Sequence, residues 1–260
     1  MAGIHGRYQW YELMTPDPEA AKAFYTKVVG WGMQDVPMPQ MQYSLFTAGE
    51  TPIAGVMETP AEARQPGAPP GWWMGYVGVD DVDQTADHAK RLGGAECVPP
   101  SDIPGIGRFA VISDPQSARF GLLKWSDPVR NVTGGLNTAG HTGWHELLAA
   151  DWPKALEFYS AMFGWKKADA VDMGEMGTYQ LFAIDEQPMG GMFNKPPPVP
   201  VPFWQYYFNV GAIDAAAERV KNAGGQIANG PMAVPGGMWI VHCIDPQGVM
   251  FALVGAPPAA

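Results

Sequence analysis

The chain has 260 residues, with 47% hydrophobic and 16% charged residues and a formal net charge of -10. That composition belongs to a well-buried globular protein and excludes a disordered one. With no basic run to offset the acidity, a nucleic-acid partner is not expected. No apolar stretch approaches the roughly 20 residues needed to span a bilayer, and the start, MAGIHGRYQWYELM, has no signal-type apolar run. A cytoplasmic protein without a membrane partner is the expectation. Cys97 and Cys243 form no CxxC pair and sit in apolar, strand-like contexts, so both are expected to be reduced core thiols.

In chain order, RYQWYELM reads as a strand. Asp17 then has the place of an N-cap, with Pro18 at the first helical position and Glu19 near the positive end of the helix. Ala20, Phe24 and Val28 make a helical stripe, closed by Gly30. MQYSLFTAG and TPIAGVME read as strands joined by a tight turn. The connector ETPAEARQPGAPPG is too proline-rich for a central strand or helix interior. The order then repeats: WWMGYVGV, a helix from Val82 to Arg91 closed by Gly93, and the strands AECVPP, GRFAVISD and ARFGLLKW. A polar, glycine-containing linker follows, Ser126 to Gly143.

Beyond the linker the chain says nearly the same thing again. WYELMTPDPEAAKAFYTKVVGW, from Trp10, returns as WHELLAADWPKALEFYSAMFGW, from Trp144. Glu12 matches Glu146, Asp17 matches Asp151, and the FY and GW pairs keep their spacing. YSLF at Tyr43 answers YQLF at Tyr179, and DPQ at Asp114 recurs at Asp245. A second proline-rich connector, NKPPPVPVP, precedes FWQYYFNV, a helix near Asp214 to Asn222, and the strands GQIANG, MWIVHCID and VMFALVG. The reading is an α+β protein of four βαβββ units, paired into two cupped mixed-sheet domains at residues 1–127 and 140–258. One helix covers one face of each sheet, so the other face must bury itself or line something.

The D-x-x-x-A-x-x-F-Y-x-x-x-x-G-W string, the mid-domain proline joint and the terminal D-P-x-G hairpin together resemble the vicinal oxygen chelate superfamily. That group holds glyoxalase I, the bleomycin-resistance proteins and the extradiol dioxygenases. The resemblance runs from Tyr8 to Val254, is strongest to tandem glyoxalase-like members, and implies a small-molecule ligand or substrate. In metal-dependent members the first histidine lies seven residues before the helix-capping aspartate, which falls here on Trp10 and Trp144. The second unit's histidine falls near Met74 and Gln205, and the late glutamate on Gly121 and Ala252. The remaining ligand falls within AGVME and GGMFN, where Glu58 is matched by Asn194. The ligand set is replaced position after position, so neither a metal nor another cofactor is expected. Trp10, Met74, Gly121, Trp144, Gln205 and Ala252 become ligand-binding candidates instead.

Strand parity puts Glu12 and Glu146 on the same face as the two tryptophans, facing the cup. A carboxylate there must be paired, hydrated or protonated. It is either a structural anchor, with Arg7, Arg108 or Arg119 as partner, or a catalytic acid–base. His242 is a further ligand-binding candidate on a strand where the first copy has Val111; His145 points the opposite way from Glu146. Three readings stay open. One is a metal-independent lyase, isomerase or hydrolase using Glu12 or Glu146. Another is a binding or sequestering protein for an apolar or aromatic molecule. The third is a regulatory partner protein. The covalent tandem suggests a monomer with pseudo-dimeric domains, or a homodimer.

Overall fold

The computed structural model describes residues 4–38, 41–64, 69–127 and 135–258. The first unit is β1 (Tyr8–Thr15), α1 (Pro18–Val29), β2 (Gly32–Met38), β3 (Met41–Ala48) and β4 (Thr51–Glu58). The second is β5 (Trp72–Gly78), α2 (Val82–Arg91), β6 (Ala95–Ile103), β7 (Gly107–Ser113) and β8 (Arg119–Trp125). The third is β9 (Thr142–Ala149), α3 (Trp152–Phe163), β10 (Lys166–Asp172), β11 (Thr178–Ile184) and β12 (Gln187–Asn194). The fourth is β13 (Phe203–Ala212), α4 (Ile213–Asn222), β14 (Gln226–Ala233), β15 (Trp239–Ile244) and β16 (Met250–Ala256). The βαβββ plan therefore holds four times, in two mixed sheets ordered β2-β3-β4-β1-β5-β8-β7-β6 and β10-β11-β12-β9-β13-β16-β15-β14.

Local chemistry sets these elements. Asp17, Asp81 and Asp151 each accept a hydrogen bond from the backbone amide three residues on, capping α1, α2 and α3. Gly30 and Gly164 close α1 and α3 with φ of 88° and 71°, a left-handed geometry that glycine adopts without a Cβ clash. The buried stripe of α1 is Ala21, Phe24, Tyr25 and Val28, so it begins one residue later than the spacing of Ala20 suggested. Pro37, Pro99, Pro100 and Pro231 lie in β2, β6 and β14, all end strands of their sheets, where a missing amide donor costs no central ladder bond.

Two compact units arise, and each draws on both sequence repeats. One holds Met1–Gln9, Met74–Asn131 and His145–Trp204; the other holds Trp10–Trp73, Val132–Trp144 and Gln205–Ala260. In the second, Trp73 Nε1 donates to the Tyr25 hydroxyl at 3.0 Å, and that hydroxyl donates to Asp245 Oδ2 at 3.1 Å. Asp245 Oδ1 holds its own turn by accepting from the amides of Gln247 and Val249. The other compact unit repeats the device with Trp204, Tyr159 and Asp114. Burial pushes both aspartates above the ordinary carboxyl range. The tryptophan of each GW pair is also spent on the backbone: Trp31 donates to the Gly140 carbonyl and Trp165 to that of Gly6, each at 2.7 Å.

A further expectation fails. Cys243 is buried on β15, but Cys97 is exposed, because it lies on β6, an end strand whose first five residues all face solvent.

Candidate functional site

The first wall is built on β1, β3 and β4. Glu12 stands in parallel register with Gly55. The Tyr43 ring, from β3, lies directly over Gly55, where a Cβ would collide with the phenol. Glycine at this position lets the tyrosine reach across: its hydroxyl donates to Glu12 Oε1 at 2.8 Å and accepts from Trp10 Nε1 at 3.2 Å. Trp10 is buried and Glu12 half-buried. The result is a directed chain from indole to phenol to carboxyl, and it puts Trp10 and Glu12 on one face.

The other copy repeats the register and the ring over glycine. Glu146 is in register with Gly191, and the Tyr179 ring lies over that glycine, with Phe193 beside it at 5.8 Å. Glu146 is the more buried of the two glutamates, at 8% exposure. The arginines considered as partners are placed elsewhere. Arg7 pairs with Asp185 and Arg108 with Asp83 and Asp102, while Arg119 is exposed at the start of β8.

The later strands carry two more tyrosines. On β5, Met74 and Tyr76 share a side by strand parity. Tyr76 is in register with Gly121 on β8, and its ring fills the space a side chain at 121 would need. On β13, Tyr207 is in register with Ala252, which in turn faces His242 on β15. The Tyr207 hydroxyl and His242 Nε2 are 2.7 Å apart. Trp144, Met238 and Ile240 pack against Tyr207, Ala252 and Val254. Burial lowers the His242 pKa below its ordinary value, so the imidazole is neutral at pH 7. Gln205, two residues before Tyr207 on the same side of β13, is 3% exposed. Its Nε2 is fully buried, with no acceptor among the described residues.

Of the residues selected from the sequence, Trp10, Glu12, Trp144, Gln205, His242 and Ala252 fall in one compact unit, and Met74, Gly121 and Glu146 in the other. Trp10 and Glu12 meet through Tyr43; Trp144, His242 and Ala252 gather at Tyr207. His145 points away from the site as parity required. It stacks on Tyr8 at 4.1 Å and donates from Nδ1 to the Met189 carbonyl at 2.8 Å; burial depresses its pKa to about 4. Glu58 is bonded to Arg64, and the Asn194 side chain accepts from the Trp152 amide, so neither belongs to the walls. An open recess of about 250 Å³ beside α1, lined by Ala20, Phe24, Lys27, Ala223, Pro246 and Gln247, contains none of the selected residues.

A divalent ion of the kind this fold can hold needs several convergent N, O or S donors. Here tryptophan, methionine, glycine and alanine occupy most of the corresponding positions. Tyrosine rings cover Gly55, Gly121 and Gly191. Among the described residues no group of three or more His, Cys, Asp or Glu could hold a metal ion. The residues do not fit such an ion.

Sequence reasoning passed over the four tyrosines. Tyr43 and Tyr179 open the matched YSLF and YQLF strings, which carry their register but not their contact with the glycines.

Comparison with known proteins places the chain in one superfamily. The family model described as Glyoxalase/Bleomycin resistance protein/Dioxygenase superfamily matches residues 7–122 and again 138–253, and the chain belongs to that superfamily. Over 259 residues it is 33% identical to "Putative glyoxylase CFP32" of Mycobacterium tuberculosis, covering 97% of this chain and 96% of the relative. It is 30% identical to the anthracycline biosynthesis protein DnrV of Streptomyces peucetius over 272 residues, 98% and 96% of the two chains. Among solved structures, the Mn(II)-bound glyoxalase from Novosphingobium aromaticivorans shares the fold at a TM-score of 0.64 and 15% identity, over 98% of this chain and 88% of that one. No helix among the described residues is long and apolar enough to cross a membrane.

Proposed function

We propose that this protein binds a small, flat, largely aromatic molecule against its tyrosine- and tryptophan-rich sheet faces, and that it does so without a metal ion. The observation that carries this reading is the substitution of rings for ligands: Tyr43, Tyr76 and Tyr179 lie on the glycines that leave room for them. Aromatic walls suit planar ligands, which they hold by offset stacking and apolar burial. A relative whose name places it in anthracycline biosynthesis supports an aromatic ligand.

A second reading is favoured by the Trp10–Tyr43–Glu12 chain and by the matching Glu146. Glu12 could take a proton from a bound substrate while Tyr43 holds its carboxyl in place through their shared hydrogen bond, as a metal-independent lyase or isomerase requires. The glyoxylase name of the mycobacterial relative supports an enzymatic reading. The test is a calorimetric titration of chelator-treated protein with a panel of planar aromatic molecules, followed by product analysis of each mixture. Saturable binding at unit or twofold stoichiometry supports the proposal; no binding across the panel contradicts it. New products that depend on Glu12 select the second reading.

A further inference from the structure

We infer that Gln205 is the specificity-determining donor of this protein, and that its ligand carries an uncharged carbonyl oxygen on the aromatic frame. This rests on the binding reading above and narrows it to a chemical class. Gln205 Nε2 is buried and has no acceptor among the described residues. A buried amide N–H left unpaired is costly, and natural interiors keep few of them. The side chain is held in that condition on β13, on the side that also presents Tyr207. A ligand oxygen arriving there would complete the bond.

The neighbouring chemistry defines the rest of the ligand. Trp144, Tyr207, Met238, Ile240, Ala252 and Val254 form an uncharged, mostly apolar cluster, and the nearby Tyr207–His242 hydrogen bond joins two neutral groups. An anionic oxygen would lose its hydration there with no cation in the cluster to compensate. A carbonyl oxygen has no such cost and offers only acceptor lone pairs, which is what an N–H donor needs. The first repeat has Met74 at the corresponding place, so this donor distinguishes the second repeat's face from the first.

The probes are fluorene, 9-fluorenone and fluorene-9-carboxylate, which share one frame and differ at one position. Each is titrated calorimetrically into the full-length protein. The wild type is expected to bind fluorenone at least tenfold more tightly than fluorene, because removing the acceptor leaves Gln205 unpaired again. Gln205→Met keeps the length of the side chain and removes the donor. It should bring the fluorenone-to-fluorene ratio to within about threefold of one. Gln205→Leu serves as a second variant should the first fail to fold. Saturable binding of both neutral probes with a wild-type ratio near one overturns the inference and leaves the binding reading standing. So does a preference that survives in Gln205→Met, or tightest binding of the carboxylate. Absence of saturable binding by all three probes overturns both.

Discussion

Tyr25 and Asp245 are 220 residues apart in the chain and share a buried hydrogen bond, in which the tyrosine hydroxyl donates to Oδ2 at 3.1 Å. Tyr159 and Asp114 do the same in the other compact unit at 3.2 Å. The FY of one repeat thus fastens the DPQ turn of the other, and both motifs must recur if both units are to close. Tyr25→Phe would strip the donor from Asp245 and the acceptor from Trp73 Nε1 together. We expect a loss of about 1–3 kcal/mol in denaturant unfolding, with a comparable loss for Tyr159→Phe. A change under about 0.5 kcal/mol in either variant would show that these bonds do not hold the units.

His145 makes stability depend on pH. Its folded pKa is about 4, against an ordinary 6.5, because burial disfavours the imidazolium. A depressed folded value means the neutral ring's contribution is complete above pH 6.5 and is lost as pH falls toward 4. The loss over that window is about 3 kcal/mol. Asp114 and Asp245 act in the opposite sense. Their raised folded pKa values favour the fold below the ordinary carboxyl value near 3.8, and that benefit is lost as pH rises through the folded values. The measurement is therefore a difference: unfolding free energy from pH 7 to pH 4 in the wild type and in His145→Phe. The variant should show the flatter acid limb; parallel curves would remove His145 from the explanation.

The two thiols should separate cleanly. Cys97 is exposed, whereas Cys243 is buried and its thiol pKa is pushed up to about 12. Native protein treated with a thiol-exchange reagent at pH 8 should release one equivalent quickly, and the second only on unfolding. Cys97→Ser should abolish the fast phase. Two fast equivalents would mean that β15 opens readily.

Glu12→Gln distinguishes binding from proton transfer. The amide oxygen can still accept from Tyr43, so the wall keeps its shape. For a binding protein, ligand affinity should change by less than about tenfold. For an enzyme using Glu12 as its base, turnover should fall by roughly 10²–10⁴ with the Kd little altered.

Much of the fold could be read from the residues because its signals are local. Asp17, Asp151, Gly30 and Gly164 mark helix ends through contacts within three or four residues of themselves. The repeat supplied a second, independent copy of each. The site was less legible. Strand parity correctly put Trp10 with Glu12 and turned His145 away, but parity says nothing about what lies across the sheet. Tyr43 reaches Glu12 only because Gly55, on a third strand, has no side chain. The exposure of Cys97 depended in the same way on β6 being an end strand. Such facts come from strand order, which no window of sequence contains.

The most direct test is to titrate one planar aromatic ligand into two samples of the same protein, one stripped with a chelator and one preloaded with Mn²⁺, Ni²⁺ or Zn²⁺, with metal content measured by elemental analysis. Metal-independent binding requires the same Kd within about twofold in both samples, with no stoichiometric metal retained after dialysis. Binding or turnover that appears only in the loaded sample, at one metal per site, would contradict it.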